Sequence, residues 1–133
     1  MRSGGMLLVE DDDLTLRYVG GTRHGSGMVL SKYSIPREAS LVYFEVKIYN
    51  QGDETPAVSV GIAQESIVNL ESRLGDAEET LGWWAEDGRI HSGDSSHPLC
   101  VYGKDDIVGC IINMSEGIVS FTKNGMLLGM FIS

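Results

Sequence analysis

The chain reads Gly117-Ile118-Val119-Ser120-Phe121-Thr122-Lys123-Asn124-Gly125-Met126-Leu127-Leu128-Gly129-Met130-Phe131-Ile132 near its C-terminus. Two runs of β-type residues flank Asn124-Gly125. A pair able to take positive φ between such runs specifies a type I′ hairpin, with strands over 117–123 and 126–132. Period two recurs further out. Val42, Phe44, Val46 and Ile48 face one way while Tyr43, Glu45, Lys47 and Tyr49 face the other, the alternation of a half-buried strand. Val58, Val60 and Ile62 alternate with Ala57, Ser59, Gly61 and Ala63, so a neighbouring sheet or backbone is expected close over the small side. Leu14, Leu16 and Tyr18 alternate with Thr15, Arg17 and Val19. Ile107 to Ile112 is apolar on both faces and suits a central strand. No segment sustains a helical period, and Gln64 to Leu70 would make a turn or two at most. The expected fold class is all-β, an antiparallel β-sandwich of two sheets, with a jelly roll or barrel as the competing arrangement.

The length of 133 residues suits one domain, and 17 glycines against 3 prolines suit a turn-rich β architecture rather than a helical bundle. The formal charge of −9 argues against nucleic acid or an anionic membrane as the main partner. The charge is uneven. Glu65, Glu71, Asp76, Glu78, Glu79, Glu86 and Asp87 face Arg73 alone, whereas 14–47 is mildly basic. Most of these acids read as solvated surface; the sharper reading is an acidic rim that selects a basic partner. Cys100 and Cys110 have no CxxC spacing and no nearby His pair, so neither a disulfide framework nor a zinc site is expected. Two thiols and six methionines fit a reducing cytosol, or the nucleus. Met6 to Val9, ahead of Glu10-Asp11-Asp12-Asp13, is too short for a signal-peptide core or a membrane span.

Catalytic constellations are fragmentary. No serine sits in a GxSxG elbow, and His91-Ser92-Gly93-Asp94 reads as a polar turn because a working triad draws on separate elements. Gly103-Lys104 lacks the rest of a phosphate loop, and Asp105-Asp106 lacks the spaced ligands of a calcium loop. The adjacent Trp83 and Trp84 are more informative. In a strand they must point to opposite faces, one into the core and the other to the surface or beneath a loop. A part-exposed tryptophan beside loops is a common binding hot spot, which marks Trp84.

The order of segments resembles a SPRY domain. Leu14-Thr15-Leu16-Arg17-Tyr18-Val19-Gly20 and Ser34-Ile35-Pro36 are followed by Tyr43-Phe44-Glu45-Val46 and Val58-Ser59-Val60-Gly61-Ile62-Ala63. Then come Gly82-Trp83-Trp84-Ala85-Glu86-Asp87-Gly88, Tyr102-Gly103-Lys104-Asp105-Asp106-Ile107-Val108-Gly109 and Phe121-Thr122-Lys123-Asn124-Gly125. Each is weak alone, but together in this order they are specific, and they are most similar to SPRY domains of Ran-binding-protein-M-like proteins. The resemblance implies a concanavalin-like sandwich from about Leu14, with residues 1–13 as an N-terminal arm or edge strand and 14–133 as the domain. It also implies a family pattern that continues beyond Ser133, so the sandwich is expected to be incomplete at its C-terminal edge. That edge would invite self-association or be closed by the segment Met6 to Glu10.

The resemblance further implies a non-enzymatic protein-interaction module that needs no cofactor or metal. It would read a short peptide or loop of a partner protein through loops at one end, as the recognition or scaffold part of a larger, ubiquitin-ligase-like assembly. The matching loop positions are Thr22, Arg23 and His24 for the first loop and the stretch around Arg73, Leu74 and Gly75 for the second. Arg23 and His24 are expected as polar contacts, Arg73 as a clamp for a carboxylate or carbonyl, Leu74 as an apolar contact and Trp84 as an anchor. A lectin-like carbohydrate binder is the alternative, followed by a hydrolase or metal enzyme; a purely oligomeric role stays open.

Overall fold

The computed structural model describes residues 2–3, 7–9, 16–18, 29–30, 35, 38, 40–49, 58–64 and 72–132. Twelve strands lie among them: β1 (Arg2–Ser3), β2 (Leu7–Val9), β3 (Leu16–Tyr18), β4 (Val29–Leu30), β5 (Leu41–Lys47), β6 (Ser59–Ala63), β7 (Thr80–Trp84), β8 (Arg89–Ser92), β9 (Ser95–Pro98), β10 (Ile107–Asn113), β11 (Ile118–Lys123) and β12 (Met126–Ile132). Two four-stranded antiparallel sheets form the sandwich, one ordered β12-β11-β10-β5 and the other β6-β7-β8-β9. The all-β, two-sheet architecture is the one the alternation predicts, and no helix occurs among the described residues. The turn expected after Gln64 lies outside the described residues.

The hairpin forms as its sequence dictates. Asn124 and Gly125 both take positive φ, 52° and 83°, between β11 and β12. A bulge between Phe121 and Thr122 shifts the register so that Phe121 faces Gly129 and Thr122 faces Leu127. The apolar run of β10 becomes a central strand, with Cys110 opposite Phe44 of β5 on one side and Phe121 of β11 on the other. On β5 the alternation is literal. Val42, Phe44 and Val46 turn inward while Leu41, Tyr43, Glu45 and Lys47 are exposed, and Ile48 beyond the strand is buried.

The N-terminal segments form small ladders of their own. Leu7 pairs with Tyr18 and Val9 with Leu16 in a β2–β3 hairpin, and Ser3 pairs with Val29 across β1 and β4.

Trp83, with no exposed surface, occupies the middle of the core between the sheets. Its ring meets Tyr102 edge-on at 4.4 Å and Phe121 at 5.5 Å, and its Nε1 donates to the Cys100 carbonyl at 2.8 Å. The Tyr102 hydroxyl donates to the Trp83 carbonyl, so two large aromatic groups are buried with their polar atoms paired. Burial pushes the Tyr102 hydroxyl far above its ordinary range and the Cys110 thiol up to about 12. Cys100 and Cys110 are both free thiols.

Asp106 ties the hairpin to the turn before β10. Its Oδ1 accepts from Asn124 Nδ2 at 3.0 Å and its Oδ2 from the Gly103 N–H at 2.8 Å, while Asn124 Oδ1 accepts from the Ile107 N–H. The Asn124 and Gly103 hydrogen bonds, with Lys123 nearby, outweigh burial and hold the Asp106 carboxyl below its ordinary 3.8. A depressed folded-state value stabilises above the ordinary value and loses that stabilisation as pH falls through the lower one. Asp106→Asn is therefore expected to melt earlier than wild type at neutral pH, with the gap closing as pH drops below 3.8. Thermal melts across pH check this; a gap that persists in acid would mean the carboxylate charge is not what matters.

Candidate functional site

The site is built on the outer face of the β6–β9 sheet. Gly61 of β6 pairs with Gly82 of β7, and a Cβ on Gly61 would strike the Leu81 carbonyl. The close backbone approach expected over the small side of β6 is thus present. Beside it, a Cβ on Gly82 would strike the carbonyl of Leu74. The loop 72–79 lies directly on the lane that these two glycines leave flat. The Leu74 carbonyl accepts from Ser59 Oγ and from Trp84 Nε1, each at 2.8 Å. Gly75 donates its N–H to Thr80 Oγ1 at 2.8 Å and accepts from the Gly93 N–H at 3.0 Å.

Trp84 points away from Trp83, as adjacent strand residues must, and its ring is enclosed on both faces. The Arg73 guanidinium carbon lies 3.9 Å from the ring centroid on one side, and the His91 ring stacks at 3.6 Å with an interplanar angle of 23° on the other. Each outer layer of this column is held by a carboxylate. Arg73 Nη1 and Nη2 donate to Glu86 at 2.6 Å each, a bidentate pair, and Nη2 also reaches the Val58 carbonyl at 3.2 Å. His91 Nε2 lies 2.6 Å from Asp87 Oδ2, while Asp87 Oδ1 accepts from the Arg89 N–H at 2.9 Å. Burial raises the Asp87 carboxyl, but the Arg89 and His91 hydrogen bonds and the charges of His91 and Arg73 leave it below its ordinary value.

Three of the six sequence-predicted contact residues, Arg73, Leu74 and Trp84, therefore come together. Thr22, Arg23 and His24 lie outside the described residues. Arg73 does clamp a carboxylate and a carbonyl, but they are the chain's own, from Glu86 and Val58. Sequence reasoning placed His91 in a polar turn; it lies within β8 on the same face as Trp84, through the pairing of Gly82 with His91. The signal was available in Gly88, whose φ of +68° closes the β7–β8 turn and sets that register. Among the described residues, no three His, Cys, Asp or Glu side chains are grouped so as to hold a metal.

Residues 41–133 match the family model described as SPRY domain. The chain belongs to the SPRY domain family. SPRY domains are protein-interaction modules. The chain is 29% identical over 131 residues to the Ran-binding protein M homolog of Arabidopsis thaliana, covering 96% of this chain and 28% of that protein. It is 32% identical over 114 residues to Ran-binding protein 9 of Xenopus tropicalis, covering 83% of this chain and 20% of the relative. A crystal structure of a human SPRY domain superposes with a TM-score of 0.82 at 25% identity, over 98% of this chain and 82% of that one. The SPRY domain of human HERC1 shares the fold, with a TM-score of 0.71 at 17% identity over 98% of this chain and 77% of that one.

Proposed function

We propose that this SPRY domain recognises a short peptide or loop of a partner protein at the surface where loop 72–79 crosses the outer face of β6, β7 and β8. It would act without catalysis or a cofactor, as a recognition part of a larger scaffold or ligase-like assembly in a reducing compartment, the cytosol or the nucleus. The observation that carries this reading is the Arg73–Trp84–His91 column. A large aromatic lies outside the core, half-buried, with both faces and its N–H already fixed by the protein's own groups. A rigid, pre-ordered aromatic edge beside polar loops costs little further ordering on binding and is the usual make-up of an interaction hot spot. Leu74, partly buried beside it, adds apolar contact. Thr22, Arg23 and His24, outside the described residues, are the further polar contacts that the family resemblance implies. Compartment is supported by the two free thiols, one of them inert through burial.

The test is affinity capture from cell lysate with wild type, Trp84→Ala and Arg23→Ala, identifying the captured proteins by mass spectrometry. The same partner set should be lost with Trp84→Ala and weakened with Arg23→Ala, while circular dichroism shows both folded. If both variants captured wild-type partners undiminished, the surface would be misplaced.

A further inference from the structure

At one end of the two sheets β6 and β10 finish and β7 begins. A cavity of about 980 Å³ opens there, against about 180 Å³ for the cleft beside Leu74 and Phe44. Its walls are inward-facing residues of both sheets: Ile62, Leu81 and Ile90 from one, Ile112 and Phe131 from the other. Ile62, Leu81 and Phe131 are only partly buried along it, while Ile90 and Ile112 at its back are nearly covered. Protein interiors ordinarily hold few voids larger than a water molecule, so a space of this size beside the core is unusual. The volume falls within the range of roughly 300–1,000 Å³ typical of ligand sites.

The rim carries the information about charge. Glu78 and Glu79, both exposed, line the mouth with Gln64, Ser92, Ser95 and His97, and no lysine or arginine does so among the described residues. Met114, 42% exposed, forms an apolar lip. These carboxylates belong to the acidic stretch that holds most of the chain's −9 charge, so the field at the mouth draws cations and repels anions. An apolar interior with an acidic rim fits one kind of occupant, a bulky apolar side chain flanked by fixed positive charge.

We propose that this inter-sheet cavity is a second binding site, taking a partner segment that presents a leucine-, phenylalanine- or methionine-type side chain next to lysine or arginine. Its apolar walls face away from the surface carrying Trp84, and the two share loop 72–79, which gives Glu78 and Glu79 to the mouth. Thr80 and Leu81 lie at the start of β7 and Trp84 at its end, and the cavity opens on the inner face of the sheet while Trp84 lies on the outer.

A synthetic peptide array tests this directly, with an apolar central position varied and its flanks set to lysine or glutamate, followed by fluorescence anisotropy on the binders. Lysine-flanked peptides with a bulky apolar centre should bind about tenfold or more tighter than their glutamate twins. Glu78→Lys/Glu79→Lys, two exposed positions, should erase that preference. Ser95→Trp, which fills the mouth, should abolish binding, and Met126→Ala, exposed on the β11–β12 hairpin away from the cavity, should leave it unchanged. Absence of binding by every peptide, equal binding of both twins, or binding undiminished by Ser95→Trp would each overturn the proposal. So would a concentration-dependent dimer that Ser95→Trp dissolves, because a second copy would then be the occupant.

Discussion

Trp83→Ala is expected to destabilise the domain by about 3–5 kcal/mol, the range for deleting a large buried aromatic. Small domains have roughly 5–15 kcal/mol of stability in total, so much of the reserve would go with one side chain. The size follows from position. Trp83 has no exposed surface, lies against Tyr102 and Phe121, and fixes the Cys100 carbonyl through its Nε1. Truncation would leave a cavity between the sheets and strip the Cys100 carbonyl of its donor. Equilibrium urea unfolding followed by circular dichroism measures this, with Trp84→Ala as the companion. One residue along the same strand, Trp84 touches the outer loop rather than the core, and its loss should cost less stability while removing partner capture. A Trp83→Ala variant within about 1 kcal/mol of wild type would show that the two sheets are held by something other than this aromatic cluster.

That two neighbouring tryptophans divide between the core and the outer face follows from period two alone, which is why the division was legible in the sequence. The same holds for β5, where every second residue faces inward, and for the hairpin at Asn124-Gly125, where two adjacent residues dictate the local backbone. The arrangement around Trp84 was less legible because its partners come from distant positions. Arg73 is 13 residues from Glu86, and Leu74 is 10 from Trp84. An arginine in an acidic stretch invites an external anion on inspection, and only the register of β7 against β8 and the path of the loop show that Glu86 occupies it. Asp106 is a similar case. As one of two adjacent aspartates before β10 it reads as solvated surface, yet its carboxylate joins Gly103 to Asn124, 18 positions along. Local patterns specify strands and turns; side-chain networks that cross between elements depend on packing that no window of sequence contains.

Gly82→Ala should have an effect out of proportion to one methyl group. The new Cβ would meet the Leu74 carbonyl oxygen and Ser59 Oγ, with the Leu74 carbonyl carbon at 2.7 Å. Backbone atoms of a seated loop cannot move aside as the end of a flexible side chain can, so the loop must lift. Overpacking of this kind costs typically 1–3 kcal/mol. Lifting the loop also withdraws the Leu74 carbonyl from Trp84 Nε1 and from Ser59 Oγ. Arg73, one residue before Leu74, would be drawn off the Trp84 ring. Trp84 emission should therefore shift to the red while the buried Trp83, the only other tryptophan, keeps its near-ultraviolet signal. Partner capture should fall as it does in Trp84→Ala, although no contacting side chain has changed. Gly129→Ala is the control, because the nearest atom its Cβ would meet is the Cδ1 of Leu99 at 3.1 Å, the end of a side chain that can turn, with the Phe131 ring at ordinary contact from 3.8 Å. A Gly82→Ala protein with wild-type stability and emission would mean the loop does not rest on β7, and the column around Trp84 would lose the feature that fixes it in place.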